Sequence, residues 1–427
     1  MHNIIKIIIV CFVLRILALF SAGIPAPDSA QARWYRMANN LADGKGFVYC
    51  EQKYFPFCNE TNNKTAISSP VPIIVYSFFI KYFSLHHLSA IYLFQLLLGL
   101  LSIYFFYKAS LHIIADEKIS LFGAFLWGSY FPAISMERYL LGEPIASYLL
   151  IIGVYYLLEA YKNKRFWYWI ISGIILGLSA LSRSPLVYFP FLLAPLYFIY
   201  NKWEMRSLFN FIIFIMIYVL TLSPWLIKNY NDFGVIKSGT SMNGYNLYRF
   251  NYILKFDDYL ERPWQTTIEF KPEFDRFLNE NNFTGNENEY EMDRFYFNEG
   301  LKQIKKFPLR YIKLSISRFF NMFSDYKIQS NRNILWYIFG FETFIFFLLS
   351  IFNFFRRELT IKDYTLYLLV FYFIVGHSLV ATLFRYILPV VPFIIMLALG
   401  ILKDIFDGNN FQKYLSNRFP INIFISN

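Results

Sequence analysis

One acidic residue is distinguished by its position in the sequence. Asp28 follows the first long apolar run of the chain, in the segment SAGIPAPDSAQARWY. A carboxylate at a membrane surface can act as a general base toward a hydroxyl or an amine. Asp is also a favoured N-cap, and a helix that begins near Ala30 would explain it without chemistry. From the local sequence alone, the helix cap is the stronger interpretation.

Three basic residues lie at the ends of apolar runs, on the side of the membrane that Lys and Arg usually avoid. They are Arg183, Lys228 and Arg385. Together they would hold an anionic headgroup, and an arginine offers two parallel hydrogen bonds to a phosphate. The structural alternative is that each long side chain only reaches for the interface. That alternative is stronger for any single residue than for the three together.

Other polar residues are candidates for a substrate pocket: Tyr35, Glu143 and Tyr386. Glu143 lies at the mouth of a predicted spanning helix, where the helix dipole also favours a purely structural carboxylate. We expect no metal site, because the paired histidines and aspartates of the chain lack the spaced partners that a closed site needs. No cofactor is expected either.

Helices that cross a lipid bilayer must position these residues. The chain has 427 residues, of which 56% are hydrophobic and only 16% are charged, whereas about 25% are charged in soluble proteins. Its apolar runs approach the roughly 20 residues that a spanning helix needs, and a helix satisfies its own backbone in lipid. We therefore predict an all-α polytopic membrane helix bundle of about ten spans. The runs are 4–22, 88–107, 119–135, 144–160, 166–183, 185–200, 207–224, 334–355, 364–382 and 386–402.

The distribution of Lys and Arg predicts the orientation of the bundle. The connections at 108–118, 161–165, 201–206 and 356–362 are basic, as is the tail after Lys403. Basic loops stay in the cytoplasm, so both termini are predicted to lie inside. The net charge of +11 is largely explained by this pattern, which removes nucleic acid as a partner and leaves the lipid bilayer.

Two predicted extracytoplasmic segments are too long to be simple connections. The first, 23–87, carries apolar residues at helical spacing, which predicts an interfacial helix. These residues are Trp34, Met37, Ala38 and Leu41, followed by Gly44 and Gly46 as a stop. The run at 70–85 in the same segment is too short to span and is predicted to be interfacial or re-entrant.

The second long segment, 225–333, closes with another predicted interfacial helix at 307–323. The chain is thus divided into a membrane core (1–224), this outer region, and C-terminal spans with a cytoplasmic tail (334–427). Cys50 and Cys58 share the first outer loop. An oxidising compartment would allow them to pair, and the sequence leaves open whether they do.

The order of these segments resembles the GT-C superfamily of membrane glycosyltransferases. An acid after the first helix is followed by WYRMANNLADGKGF, SSPVPIIVY, GLSALSRSP, PWLIKNYNDFG with SMNGYNLY, and RYILPVVP. The set is most similar to glycosyltransferase family 39, the protein O-mannosyltransferase and aminoarabinose-transferase group, in its bacterial branch. The resemblance extends in order over nearly all of the chain.

The resemblance implies an inverting transfer of one sugar from a polyprenyl-phosphate carrier to an acceptor outside the cytoplasm. The donor is then a polyprenyl-phosphate sugar, the acceptor is a lipid, a glycan or a protein, and the location is a bacterial plasma membrane. On this resemblance Asp28 is the general base, and Arg385 stabilises the departing lipid phosphate, with Lys228 and Arg183 as further contacts. Phosphate is already a good leaving group, so activation of the nucleophile and neutralisation of charge remain the main tasks.

One departure from the family pattern concerns the start of the short apolar run. The aminoarabinose transferases carry Glu-Lys immediately before its proline, whereas this chain has Ser68 and Ser69. We therefore do not expect an aminoarabinose transferase.

Two other classes of membrane protein remain as alternatives. A lipid-linked sugar flippase or another transporter would show internal repeats and ionisable groups near the midplane, which the sequence does not indicate. An enzyme similar to an O-antigen polymerase or ligase would share the large outer loops and the polyprenyl-linked donor. It would be expected to lack the acid directly after the first helix.

Overall fold

The computed structural model describes residues 2–27, 29–51, 55, 58, 63–163, 165–200, 204–261, 287–324, 334–356 and 358–406. Within these ranges the protein is α-helical, and its β pairing is one isolated bridge between Val48 and Lys64. The predicted all-α fold class is confirmed.

The described α-helices are numbered in chain order. They are α1 (His2–Ala22), α2 (Ser29–Ala42), α3 (Pro70–Phe83), α4 (His87–Ile113), α5 (Glu117–Gly128), α6 (Phe131–Met136), α7 (Gly142–Asn163), α8 (Phe166–Ser182), α9 (Phe189–Tyr200), α10 (Met205–Phe233), α11 (Asn243–Asn251), α12 (Glu289–Lys306), α13 (Pro308–Ser324), α14 (Ile334–Arg356), α15 (Ile361–Val380), α16 (Phe384–Ile387) and α17 (Val391–Phe406). Short 3₁₀ turns occupy Ser84–His86, Ser184–Tyr188 and Tyr252–Lys255.

Long apolar helices make this an integral multi-pass membrane protein. Six helical stretches of the described chain have the length and composition to cross a bilayer, and three shorter apolar helices accompany them. The six are His2–Ala22, Pro70–Ile113, Gly142–Asn163, Met205–Phe233, Ile334–Arg356 and Ile361–Val380.

The structure breaks or extends several of the predicted runs. The run at 119–135 divides into α5 and α6, and the run at 386–402 divides between α16 and α17. Helix α10 continues through Pro224 to Phe233, where the sequence suggested a loop, and ends at Gly234 with φ +70. A proline is tolerated inside a membrane helix because neighbouring groups satisfy the freed backbone.

Side-chain contacts show which helix ends lie at the same face of the bundle. On one face Arg138 donates to the carbonyl of Gly23 at 2.8 Å, which joins the α6–α7 turn to the end of α1. On the other face His112 contacts Glu159 at 3.0 Å and Lys362 at 3.5 Å, which joins the ends of α4 and α7 to the start of α15. Helices α4 and α7 therefore end at one face of the bundle, where α15 begins, and α1 ends beside the turn that precedes α7.

Two of the predicted outer helices form as helices. In α2, Trp34, Met37 and Ala38 are buried and Leu41 is half-buried. Gly44 and Gly46 follow with φ of +79 and +83, a conformation that glycine adopts without steric cost. The predicted segment 307–323 is α13, which presents an exposed apolar stripe at helical spacing: Leu309, Ile312, Ile316 and Phe320.

A buried ion pair locks the N-terminal helices together. Arg15 in α1 contacts Glu137 at 3.1 Å, and the two side chains are 1% and 0% exposed. Arg15 also donates to the carbonyl of Gly128 at 2.7 Å, and the Tyr148 hydroxyl donates to Glu137 at 2.5 Å. Gly99 in α4 makes room for this carboxylate, since a Cβ there would lie 2.3 Å from Glu137 Oε1.

We predict that Arg15→Met lowers the thermal stability of the purified protein sharply. Loss of one partner leaves an uncompensated buried charge, which costs about 3–5 kcal/mol. The double variant Arg15→Met/Glu137→Gln is expected to recover much of that loss, because it leaves no charge. Melting temperatures of the single and double variants in one detergent test this, and a double variant less stable than Arg15→Met would contradict it.

Candidate functional site

A cavity of about 570 Å³ lies where α7 begins and where α8 and α15 end. Helices α2 and α11 and the chain around Ser68 complete its wall. It thus lies between the membrane helices and the two long segments that the sequence predicts outside the cytoplasm.

A buried carboxylate organises the membrane side of this cavity. Glu143 Oε1 lies 3.0 Å from Nη1 of Arg183 and 3.4 Å from Nε of Arg385. The guanidinium of Arg183 also lies over the ring of Tyr386, 4.5 Å from its centroid. The structure therefore brings together four of the residues predicted from the sequence.

Close packing of α7 against α8 accounts for this meeting. A Cβ at Gly142 would lie 2.5 Å from the carbonyl oxygen of Ser182, so no larger residue fits without a shift of the helices. The Ser179 hydroxyl donates to the carbonyl of Ala146 at 2.8 Å, one turn further in. These contacts set Glu143 beside Arg183, the residue that follows α8.

The described lining of the cavity is positively charged. It includes the arginines Arg33, Arg183, Arg249 and Arg385 and one carboxylate, Glu51. Glu143 neutralises part of this charge through its two arginine contacts, so four positive groups face two negative ones. The arrangement suits an anionic ligand, because guanidinium groups bind phosphate and carboxylate oxygens in pairs.

A polar side chain lies beside the arginines. His377 near the end of α15 lines the cavity, and its ring lies 5.1 Å from that of Tyr386. Its Nδ1 contacts the carbonyl of Ala381 at 3.3 Å, and its Nε2 has no hydrogen-bond partner among the described residues. His377 therefore has one ring nitrogen left for a ligand.

Three predicted site residues are not among those that line the cavity: Glu143, which contacts two lining arginines from behind, Lys228 and Tyr35. The ammonium of Lys228 donates to the carbonyl of Thr65 at 2.6 Å and lies 3.3 Å from Asp232. The hydroxyl of Tyr35 contacts Nε2 of His87 at 3.1 Å. Lys228 thus fixes the chain just before the cavity wall, and Tyr35 packs on the turn before α4.

Asp28 lies outside the described residues, and the helix that follows it contributes to the site. Arg33 and Trp34 of α2 line the cavity. The loop after α2 contains a disulfide between Cys50 and Cys58, with the two Cα atoms 5.5 Å apart. This resolves the question that the sequence left open.

Sequence reasoning missed the polar residues of α11 that line the cavity. They are Asn243, Asn246 and Arg249. Their spacing of three residues was the available signal, because residues at i, i+3 and i+6 share a broad face of a helix. What the sequence did not indicate was that a segment after α10 folds back over the membrane core.

Charged side chains hold both ends of α11. Oδ1 of Asp293 in α12 accepts from the backbone N–H groups of Gly244 and Tyr245, at 2.6 and 3.1 Å. At the other end the buried guanidinium of Arg318 in α13 donates to the carbonyl of Phe250. An anion at the N-terminus and a cation at the C-terminus both complement the helix dipole.

Comparison with known proteins agrees with the resemblance. Residues 68–227 match the family described as dolichyl-phosphate-mannose-protein mannosyltransferase. No curated protein matches the chain at a significant level of sequence similarity.

Solved oligosaccharyltransferase structures share the fold. AglB from Archaeoglobus fulgidus, in complex with an inhibitory peptide and a dolichol-phosphate, aligns with a TM-score of 0.56 and 13% identity over 97% of this chain and 51% of that chain. An Archaeoglobus fulgidus oligosaccharyltransferase tethered with an acceptor peptide containing the NVT sequon aligns with a TM-score of 0.55 and 13% identity over 98% of this chain and 51% of that chain. This chain therefore spans about half the length of the oligosaccharyltransferase.

A second group of solved structures is more distant. ArnT from Cupriavidus metallidurans bound to undecaprenyl phosphate aligns over 97% of this chain and 80% of that chain, with 10% identity and a TM-score of 0.36, too low to support an inference. From the family match and the shared fold with the oligosaccharyltransferase, the chain resembles the GT-C glycosyltransferases, as the sequence predicts.

We predict that the carboxyl group of Asp293 makes stability depend on pH. Burial raises its pKa from 3.8 to about 6, so the folded protein holds this proton more tightly than the unfolded chain does. The resulting stabilisation is complete below about pH 4 and is lost as the pH rises through about 6, by up to about 3 kcal/mol. Asp293→Asn keeps the Oδ1 acceptor and removes the titration.

The difference in melting temperature between the wild type and Asp293→Asn tests this between pH 4 and pH 7. We expect the variant to gain stability relative to the wild type as the pH rises through that range. Parallel curves would show that the Asp293 carboxyl does not titrate there.

Proposed function

We propose that this protein is an inverting glycosyltransferase that moves one sugar from a polyprenyl-phosphate carrier to an extracytoplasmic acceptor. The observation that carries the proposal is the cluster of Arg183, Arg385 and Glu143 at the outer ends of membrane helices. Two guanidinium groups and one carboxylate leave one positive charge, which matches the single negative charge of a sugar-linked phosphodiester.

The cavity also continues along apolar surface suited to a lipid tail. Tyr372, Phe373 and Val380 of α15 line it, together with Tyr188 of the adjacent 3₁₀ turn, which is 65% exposed. A Cβ at Gly376, between them on α15, would meet no atom within 4 Å. An isoprenoid that leaves the arginine cluster in this direction would lie between membrane helices.

The proposed reaction is a single displacement at the anomeric carbon. Asp28 takes the proton from the acceptor nucleophile as that atom attacks the sugar, and the bond to the phosphate oxygen breaks. Arg385 and Arg183 neutralise the charge that develops on the departing polyprenyl phosphate. Lys228 serves this phosphate only indirectly, because it holds the carbonyl of Thr65 just before the cavity wall.

The proposed orientation places the cavity outside the cytoplasm of a bacterial plasma membrane. A disulfide between Cys50 and Cys58 supports this side, because disulfides persist in oxidising compartments and are rare in the cytosol. The acceptor stays open among lipid, glycan and protein.

We predict that purified protein in lipid transfers radiolabelled sugar from a polyprenyl-phosphate donor to host membrane acceptors. Asp28→Asn should lower kcat by a factor of about 10²–10⁴, the usual contribution of a general base, and leave donor binding intact. Asp43→Asn is the matched control, since Asp43 lies in the same outer segment with its side chain 58% exposed.

Full activity of Asp28→Asn would show that Asp28 is not the general base and would favour its interpretation as a helix cap. The proposed reaction class would still stand. If the wild type transfers sugar from none of the donors and instead moves sugar-linked lipid across the membrane of proteoliposomes, the protein is a transporter and the proposed transferase function is wrong.

We predict that a membrane-impermeant reductant can reduce the Cys50–Cys58 disulfide only from outside the cell. In right-side-out membrane vesicles, a membrane-impermeant phosphine followed by a maleimide polymer should add two labels, on Cys50 and Cys58. Without reductant we expect none, because the remaining cysteine, Cys11, is buried in α1. Labelling that requires permeabilised vesicles would reverse the proposed orientation.

A further inference from the structure

We infer that α11 forms the wall of the cavity that contacts the transferred sugar, and that Asn243 and Asn246 determine which sugar the protein binds. This inference rests on the proposed transferase function. It assigns the phosphate and the sugar of the donor to different walls of one cavity.

The amides of α11 are available to a ligand. Asn243 and Asn246 line the cavity, and neither side chain has a hydrogen-bond partner among the described residues. Each amide offers a carbonyl oxygen and two N–H donors. A sugar hydroxyl donates and accepts at the same time, so a pair of amides three residues apart can distinguish the positions of its hydroxyl groups.

The opposite face of α11 is packed rigidly. The rings of Tyr245 and Tyr248 lie 5.4 and 6.1 Å from that of Tyr296 in α12. A Cβ at Gly244 would lie 1.8 Å from the backbone oxygen of Asp293, so the two helices touch there through their backbones. A wall held this firmly can discriminate between ligands, because its side chains start from a fixed position.

The backbone ends of α11 are already used by the protein. Asp293 accepts from the N-terminal N–H groups of Gly244 and Tyr245, and Arg318 donates to the carbonyl of Phe250 near the C-terminus. The helix dipole is therefore neutralised by side chains of α12 and α13. What α11 offers to the cavity is its side chains: the two neutral amides of Asn243 and Asn246 and, one turn further along, the guanidinium group of Arg249.

The geometry of the donor requires such a second wall. The phosphate is assigned to Arg183 and Arg385, and the lipid tail leaves along α15. The sugar, one bond away from the phosphate, must occupy the rest of the cavity, which α11 and α2 enclose. Trp34 of α2 and Phe250 of α11 supply aromatic rings there, on which the C–H face of a sugar packs.

The test measures binding without acceptor, so that no transfer is needed. The probes are undecaprenyl phosphate alone and the same lipid phosphate linked to mannose, glucose, galactose, N-acetylglucosamine or N-acetylgalactosamine. The full chain in lipid nanodiscs is compared with Asn243→Ala, Asn246→Ala and Arg385→Ala. Asn298→Ala is the matched control, because Asn298 is an exposed asparagine of α12 outside this cavity.

We expect the wild type to prefer some sugars over others, and each α11 variant to weaken binding of the preferred probe about fivefold. Binding of undecaprenyl phosphate alone should change less than twofold in these variants. Arg385→Ala should weaken every probe, and Asn298→Ala should weaken none. Melting temperatures confirm that each variant is folded.

Two results would overturn the inference while the proposed function stands. In the first, the α11 variants weaken undecaprenyl phosphate alone as much as its sugar-linked forms. In the second, the wild-type preference among sugars is absent or persists unchanged in both variants. If neither the wild type nor Arg385→Ala binds any probe, the proposed function itself fails, and the inference fails with it.

Discussion

A buried carboxylate inside a membrane bundle must be neutralised, and at Glu143 that requirement shapes the site. Burial of a lone charge costs far more than most folding interactions return, so the position of Glu143 is tenable only with cations beside it. Arg183 and Arg385 come from the ends of different helices and meet at the same carboxylate oxygen. The carboxylate therefore fixes the distance between two guanidinium groups that a phosphate can then share.

Helix α7 links this cluster to the ion pair deeper in the bundle. Its first turn carries Glu143, which contacts the arginines of the cavity, and one turn further in lies Tyr148, whose hydroxyl donates to Glu137. Glu137 in turn holds Arg15 of α1. A displacement of α7 would disturb both charge clusters at once, so the position of the cavity wall is tied to the packing of the N-terminal helices.

The sequence predicts the parts of the fold that local pattern controls. The spacing of Trp34, Met37 and Ala38 predicts α2, because one apolar face is enough to define an amphipathic helix. Arg183, Arg385 and Glu143 are recognisable because each is a charged residue at the end of an apolar run. Lys228 shows the same pattern, yet its ammonium binds the Thr65 carbonyl, a partner 163 residues away that no local pattern indicates.

The remaining part of the site depends on contacts between distant segments. Helix α11 is held by Asp293 and Arg318, which lie 49 and 68 residues from their respective backbone partners, Gly244 and Phe250. Nothing near Asn246 in the sequence shows that it will line the same cavity as arginines of the membrane helices. Long-range contacts decide this orientation. Asp293 and Arg318 hold the two ends of the helix, one face packs against α12, and another face lines the cavity.

The proposed division of the donor between two walls of the cavity has a physical reason. A charged phosphate is best held by groups on membrane helices, where burial strengthens each ionic contact. A neutral sugar is distinguished by hydroxyl geometry, which demands amides and aromatic rings on a rigid support. Helices α12 and α13 supply that support, because Asp293 and Arg318 hold the two ends of α11. On this proposal phosphate binding and sugar specificity can vary separately, since residues of different helices carry them.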